Sequence, residues 1–483
     1  MSDPPGGATL HATSTSRPLT TLAVILSMAM AAMESTVVGT AMPTIISDLG
    51  GLALYGWVGS AYLLASTVAV PVFGKLADLF GRKRILLGGV ALFLLGSLAS
   101  GAATSIVQLI AARALQGLGA GAMQPVGLTI VGDIYTLEER GRVQGFFGAV
   151  WGIAGISGPL LGGLIVHVWS WRWVFWINVP FGLASMAVLA FAYREAPPRD
   201  VRVRIDWAGA FTLTVATLAL LLGAGRQWPS ITLPVAAVAV ALFLFAERRA
   251  AEPVLPLDLL ARRVVATSAL SNALTGAVMM GCVIYIPLFV QGALRLGPAQ
   301  AGGAIAPMLV GWPIAATLTG RRLTRIGFRA PIRVGAALCL VGIGLFAVVL
   351  GTHATARGIQ ASMFVFGCGM GVANTALVVA LQTSVEQRQR GVVTALGMFA
   401  RSIGGAIGVG GLGVLLAARI GSSISPDMLT ALLTPHRARG AAPLASGAAE
   451  ALRVAMLPLF QLLLALVVLN AIVVAFYPRD RPT

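Results

Sequence analysis

Fourteen runs of about 20 apolar residues, parted by short charged or Pro- and Gly-rich breaks, decide what this chain can fold into. A helix crossing a bilayer core of about 30 Å needs about that many residues. In lipid, only helices and closed barrels satisfy their own backbone hydrogen bonds. Six runs lie at residues 20–43, 54–73, 85–103, 106–130, 143–166 and 174–193, and two at 207–225 and 231–246. The last six lie at 264–290, 299–320, 332–351, 358–381, 392–417 and 455–477. Together they predict an all-α integral membrane protein. The composition agrees, with 11% charged residues against about 25% in a soluble domain.

The net charge of +17 does not point to nucleic acid, because the basic residues form short runs between apolar segments rather than one continuous patch. Lys and Arg collect in cytoplasmic loops of membrane proteins. With both termini inside, Arg172, Arg226, Arg295, Arg357, Arg419, Arg437, Arg439 and Arg453 fall outside, while Arg113 and Arg401 lie within spans. The remaining Lys and Arg are on the inner side, so charge and an even helix count agree. The segment 1–19 is expected to be a cytoplasmic tail, and 418–453 a long extracellular loop. Cys282, Cys339 and Cys368 sit in apolar runs without paired spacing, which supports neither a disulfide framework nor a metal site.

The two ends of the chain repeat each other. Gly74 and Gly81, with Lys83 two residues on, match Gly320, Gly327 and Arg329. Arg140-Gly141, Gly155 and Gly158 match Arg390-Gly391, Gly405 and Gly408 at the same offsets. Duplicated halves are common in transporters. The organisation expected is a six-helix bundle at 20–193, a linker with two inserted helices at 194–263, and a second six-helix bundle at 264–483.

Several motifs carry a resemblance. Gly74-Lys-Leu-Ala-Asp78-Leu-Phe-Gly81-Arg82-Lys83 is similar to the G-x-L-a-D-r-x-G-R-[KR] signature of the major facilitator superfamily. Gly152, Gly155, Gly158-Pro159, Gly162 and Gly163 are similar to that family's antiporter helix, and Arg113-Ala-Leu-Gln116-Gly117 to its R-x-x-Q-G motif. The segment Trp171 to Gly182 and the stretch Met33-Glu34-Ser35-Thr36-Val37-Val38 also resemble its fourteen-helix drug:proton antiporter branch, the quaternary-ammonium and multidrug exporter type. Relatives more often carry Asp and a following Asn where this chain has Glu34 and Gly39. The resemblance covers nearly the whole chain. It implies two six-helix bundles with two extra helices between them, a plasma membrane location and a proton as coupling ion. By the same resemblance, Asp78 and Arg82 belong to a charge cluster that locks one conformation, with Asp133 as a third member.

Glu34 is the carboxylate placed deepest in a span. Fourteen residues beyond Thr20, at 1.5 Å per residue, it lies about 21 Å into the bilayer. A carboxylate in an apolar cavity favours its neutral form, which suits a proton carrier, and the expectation is that its protonation and substrate binding are oppositely linked. Arg113, at a depth where charge is costly, marks a pathway or a paired site unless it snorkels to the surface. The Trp residues at 171, 173 and 176 are expected to anchor a helix at the headgroups. Further cavity candidates are Trp57, Tyr62, Gln116, Gln124, Asn272, Asn374 and Gln382, each of which could equally join helices.

The function expected is proton-coupled antiport that exports lipophilic or amphipathic small molecules by alternating access. An exporter of a self-made metabolite or lipid, or a proton-coupled nutrient importer, shares the fold. With no deep carboxylate in the last six helices, neutral or monovalent compounds are favoured over dications. No GxxxxGK[ST] loop is present to bind ATP. His11, His167, His353 and His436 are scattered, so no catalytic site or metal is expected. A monomer in the lipid bilayer, binding a small molecule and no nucleic acid, is the working expectation, and the preference for Arg over Lys suits a bacterial source.

Overall fold

The structure, a computed structural model, describes residues 15–51, 54–195, 206–224, 228–250, 252–351, 355–420 and 442–478. The described residues form helices α1 (Arg17–Leu49), α2 (Tyr55–Phe80), α3 (Arg82–Ala102), α4 (Ile106–Ile134) and α5 (Leu137–Val168). The span α6 (Trp173–Ala192) is made of two helical pieces that meet at Ile177. Then come α7 (Trp207–Ala224), α8 (Pro229–Arg249), α9 (Arg263–Gly292), α10 (Pro298–Gly320), α11 (Arg329–Gly351), α12 (Ala356–Thr383), α13 (Arg390–Ile420) and α14 (Ala442–Ala475). Thirteen of these are long and apolar enough to cross a membrane, and α5, bent by 47°, brings the number to fourteen when the bent pair is counted as one span. The bend falls between Gly155 and Leu160, where Gly158 and Pro159 withdraw helix stability and one backbone donor.

Side chains fix where several helices start. Ser105 Oγ accepts from Gln108 N at 3.3 Å and Thr355 Oγ1 from Gly358 N at 3.1 Å, each satisfying an amide that has no partner within its helix. Thr136 and Glu139 form a capping box at α5. The repeated loops share a turn: Gly81 and Gly327 have φ of 95° and 69°, a region L side chains avoid. The matching offsets therefore preserve two equivalent turns.

Helices α1–α6 pack as one half and α9–α14 as the other. The halves meet along α5 against α10 and α2 against α13. Gly141 and Gly320 touch backbone to backbone, so a Cβ on either would collide with the other chain segment. The inserted pair, α7 and α8, packs on itself and lays α7 along both α2 and α13. Beyond α8, Glu252 pairs with Lys75 at 2.8 Å, which ties the connection from α8 to α9 to the loop end of α2.

Element boundaries differ from expectation most clearly in α1 and around the loop 418–453. Helix α1 starts at Arg17, inside the expected tail, and runs on past Pro43 to Leu49. Helix α13 continues to Ile420 and α14 begins at Ala442, so both ends of the expected loop 418–453 are helical. The Ala-rich stretch 442–451 explains the second end, because Ala has the highest helix propensity. The middle of that loop, like residues 1–14 of the tail, lies outside the described residues.

Candidate functional site

Two charged sites occupy opposite depths of the first half. The deeper one gathers five helices around Glu34. Gly117 lets α4 press on the backbone of α2 at Tyr62, and Gly96 lets α3 press on α4 at Gln116. These close approaches bring Arg113, Glu34 and their neighbours within bonding distance. Glu34 and Arg113 are each 2% exposed, and Arg113 Nη1 pairs with Glu34 Oε1. Asn178 Nδ2 donates to Glu34 Oε2 at 2.7 Å and to Ser97 Oγ at 3.1 Å. Arg113 Nη1 also reaches Gln116 Oε1 at 2.6 Å, and Gln116 Nε2 donates to Ser97 Oγ at 3.2 Å. Arg113 Nε donates to Val58 O at 3.3 Å, and the guanidinium sits over the Tyr62 ring, 4.4 Å from its centroid.

A cavity of about 220 Å³ opens beside this network, lined by Val38, Gly39, Met42, Gly56, Gly59, Tyr62, Leu63 and Arg113. Its wall is apolar apart from the Tyr62 and Arg113 side chains. Glu34 lies behind Arg113 rather than at the wall. Of the readings open for Arg113, the structure shows the paired site: the Glu34 carboxylate is neutralised by a guanidinium and held by an amide rather than lying in an apolar cavity. Arg113 does not snorkel. It touches both the cavity and the carboxylate.

The second site lies where α2, α4 and α13 end, at the face that carries most of the chain's Lys and Arg, here called the basic face. Asp78 accepts from Gly391 N at 3.1 Å and Val392 N at 2.9 Å. It thus caps the start of α13 in the other half, where free amides and the helix dipole favour an anion. Arg82 pairs with Asp78 at 2.8 Å and Asp133 at 3.3 Å, and donates to Gln387 O at 2.6 Å. Arg390 reaches back to Asp133 at 2.9 Å. Glu195 accepts from Arg82 N and Lys83 N, capping α3. Gly74 abuts Gly391 and Ala395. The hydrogen bonds and ion pairs that cross between halves cluster here, so the molecule is shut at the basic face.

The remaining candidates scatter. Gln116 is fully buried inside the Glu34 network and does not line the cavity. Gln382, 1% exposed, belongs to the seam, where its Nε2 donates to Leu128 O of the first half at 3.2 Å. Asn272 is buried and donates to Ser268 O. Asn374 Oδ1 accepts from Arg401 Nη1 at 3.1 Å. Trp57 and Gln124 are half-buried on α2 and α4. For these polar residues the helix-joining alternative explains Gln116 and Gln382, while Asn272 bonds back within its own helix. On α5, Gly158 and Gly162 back onto Thr36 and Thr40 of α1, Gly155 faces Leu309 of α10, and Gly163 has open space around it. The Pro159 side chain lies outside the described residues.

Ser97 and Asn178 escaped sequence reasoning. Asn178 follows a tryptophan cluster whose amphipathic rings suggest an interfacial anchor, and part of that reading is corrected too. Trp171 is 2% exposed and donates to Asp48 Oδ2 at 2.9 Å, whereas Trp173 is 46% exposed. An Asn one turn into a span, facing a carboxylate, was the available signal.

The sequence model of the Major Facilitator Superfamily matches residues 24–409. The "Multidrug transporter protein MdtP" of Bacillus subtilis is 34% identical over 87% of this chain and 78% of its own length. "Multidrug resistance protein 3" of the same organism is 35% identical over 80% of this chain and 77% of its own. Among solved structures, a bacterial homologue of the iron transporter ferroportin in an outward-facing state superposes with a TM-score of 0.66, covering 95% of this chain and 99% of that one. At 13% identity that likeness shows the fold alone. With its fourteen spans, its two packed halves and its match to the family over most of its length, this chain belongs to the major facilitator superfamily and is a multi-span membrane transporter.

Proposed function

We propose that the chain is a proton-coupled antiporter that exports lipophilic or amphipathic small molecules across the plasma membrane by alternating access. The basic face is the cytoplasmic one in this reading, which makes the structure outward-open. The position of Arg113 carries the proposal: it pairs with Glu34 and also lines the cavity. A proton reaching Glu34 cancels the charge that holds the guanidinium, and Arg113 then turns its cation toward the cavity. Substrate in the cavity and a proton on Glu34 are thereby linked through one side chain. Relatives named for multidrug transport and resistance support the export direction.

Rocking of the two halves supplies the access change. Asp78, Arg82, Asp133 and Arg390 form the lock that must part when the basic face opens. One proton entering down about 100 mV supplies about 2.3 kcal/mol, comparable with breaking part of such a lock. Ethidium efflux from energised cells expressing the wild type or Glu34→Gln, with and without a protonophore, tests the proposal. Efflux abolished by both treatments supports it. Efflux indifferent to both contradicts it.

A further inference from the structure

Charges inside the spans balance at Glu34 and Arg113, but the second half holds a cation that does not balance. Arg401 is 11 residues into α13 from Arg390, so it lies about 16 Å from the basic end, close to the bilayer midplane. Asn374 on α12 and Asn272 on α9 are each nine residues from the basic ends of their helices, at about 14 Å. Arg401 Nη1 donates to Asn374 Oδ1 at 3.1 Å. Among the described residues, no carboxylate pairs with Arg401. An uncompensated charge at this depth is expensive and marks a ligand or ion pathway.

Arg401 is half-buried, and helix periodicity turns it away from the exposed apolar side of α13. Ile407 and Val414, 47% and 51% exposed, mark an exposed apolar side of α13, as a lipid-facing surface requires. Arg401 is turned about 120–140° away from them at 100° per residue. Met398, three residues before it, packs on the first half, so Arg401 points about 60° from the side of α13 that faces that half, next to the exposed Ser402. The internal repeat places a complementary residue at the same depth. Arg140 matches Arg390, so Trp151 on α5 occupies the position of Arg401. Trp151 is 38% exposed and points about 140–160° away from the lipid-facing Phe146 and Ile153.

We infer that Arg401, steadied by Asn374, is a binding site for the anionic headgroup of a lipophilic carboxylate, whose apolar body lies toward the Trp151 side of the inter-half space. The planar guanidinium fork matches a carboxylate, and an aromatic wall suits an apolar body. Asn374 occupies one nitrogen, leaving the opposite edge of the fork for the ligand. This deepens the export reading by naming a substrate class for the site between the halves, and rests on that reading only for the direction of transport.

The test is calorimetric binding of 2-naphthoate and 2-naphthylmethylammonium, two probes of similar size and opposite charge, to the purified full chain in detergent. Naphthoate is expected to bind the wild type, to weaken about tenfold or more in Arg401→Gln and to weaken less in Arg401→Lys, which keeps the charge but loses the fork. The ammonium probe is expected to lose nothing in Arg401→Gln. Asn374→Ala, which keeps the charge, is expected to weaken naphthoate by a few-fold, and supplies the test should Arg401→Gln not fold. Naphthoate that fails to bind the wild type, or binds regardless of Arg401 and Asn374, overturns the site. Loss of protonophore-sensitive ethidium efflux would instead defeat the export reading and leave naphthoate binding standing.

Discussion

At the scale of single residues, the Glu34–Arg113 pair has a cost that can be measured. Both side chains are 2% exposed, and removing one partner of a buried ion pair leaves the other charge without compensation, typically about 3–5 kcal/mol. Arg113→Gln is therefore expected to lower the unfolding midpoint sharply, while Glu34→Gln with Arg113→Gln restores much of the loss because no lone charge remains. Thermal unfolding in detergent of the two single variants and the double variant checks this. Strictly additive losses would mean the two groups do not share one interaction. Glu34 was visible in the sequence by its depth alone and Arg113 by its motif. Their pairing was not, since 79 residues separate them and only the packing of α1, α2 and α4 brings them together. Ser97 and Asn178 were less visible still, because a neutral polar residue in a span carries no sign of its partner.

At the scale of elements, α5 links the halves. Its first part packs on α10 through Gly141 and Gly145, and its second part, past the bend, packs on α1 through Gly158 and Gly162. Thr36 Oγ1, two residues from Glu34, donates to Ala154 O of α5 at 3.1 Å. Gly141→Val pushes a side chain into the Gly320 backbone, and is expected to hold the basic face apart. With the native cysteines removed, a cysteine at Met398, which packs on the first half and is 9% exposed, should then react with a maleimide about tenfold faster, the change that about 1.4 kcal/mol of shift produces. An unchanged rate would place the seam's closure elsewhere. The helices themselves were legible because apolar length against bilayer thickness is a strict constraint. Their ends were less so: nothing in apolarity says that α1 continues to Leu49 or that 442–453 is helical, since those residues answer to helix propensity and packing rather than to the bilayer.

At the scale of the whole molecule, the charged cluster of Asp78, Arg82 and Asp133 and the Glu34–Arg113 pair lie at different depths of the same half, and the cavity lies beside the second. Asp78 caps a helix of the other half, so parting the halves exposes both a carboxylate and two amides at once. The repeat that made two halves legible in the sequence also shows where they diverge, with Trp151 at the position equivalent to Arg401 and Glu34 having no acidic counterpart deep in the second half. In the proposed mechanism, coupling runs from Glu34 through Arg113 to the cavity, and from the cavity to the seam. The most direct measurement is proton release on adding ethidium to the purified protein in weakly buffered detergent. The account predicts release from the wild type near the pH where Glu34 is partly protonated, and none from Glu34→Gln even though ethidium still binds. Equal release from both proteins, or binding to the wild type without release at any pH, would contradict it.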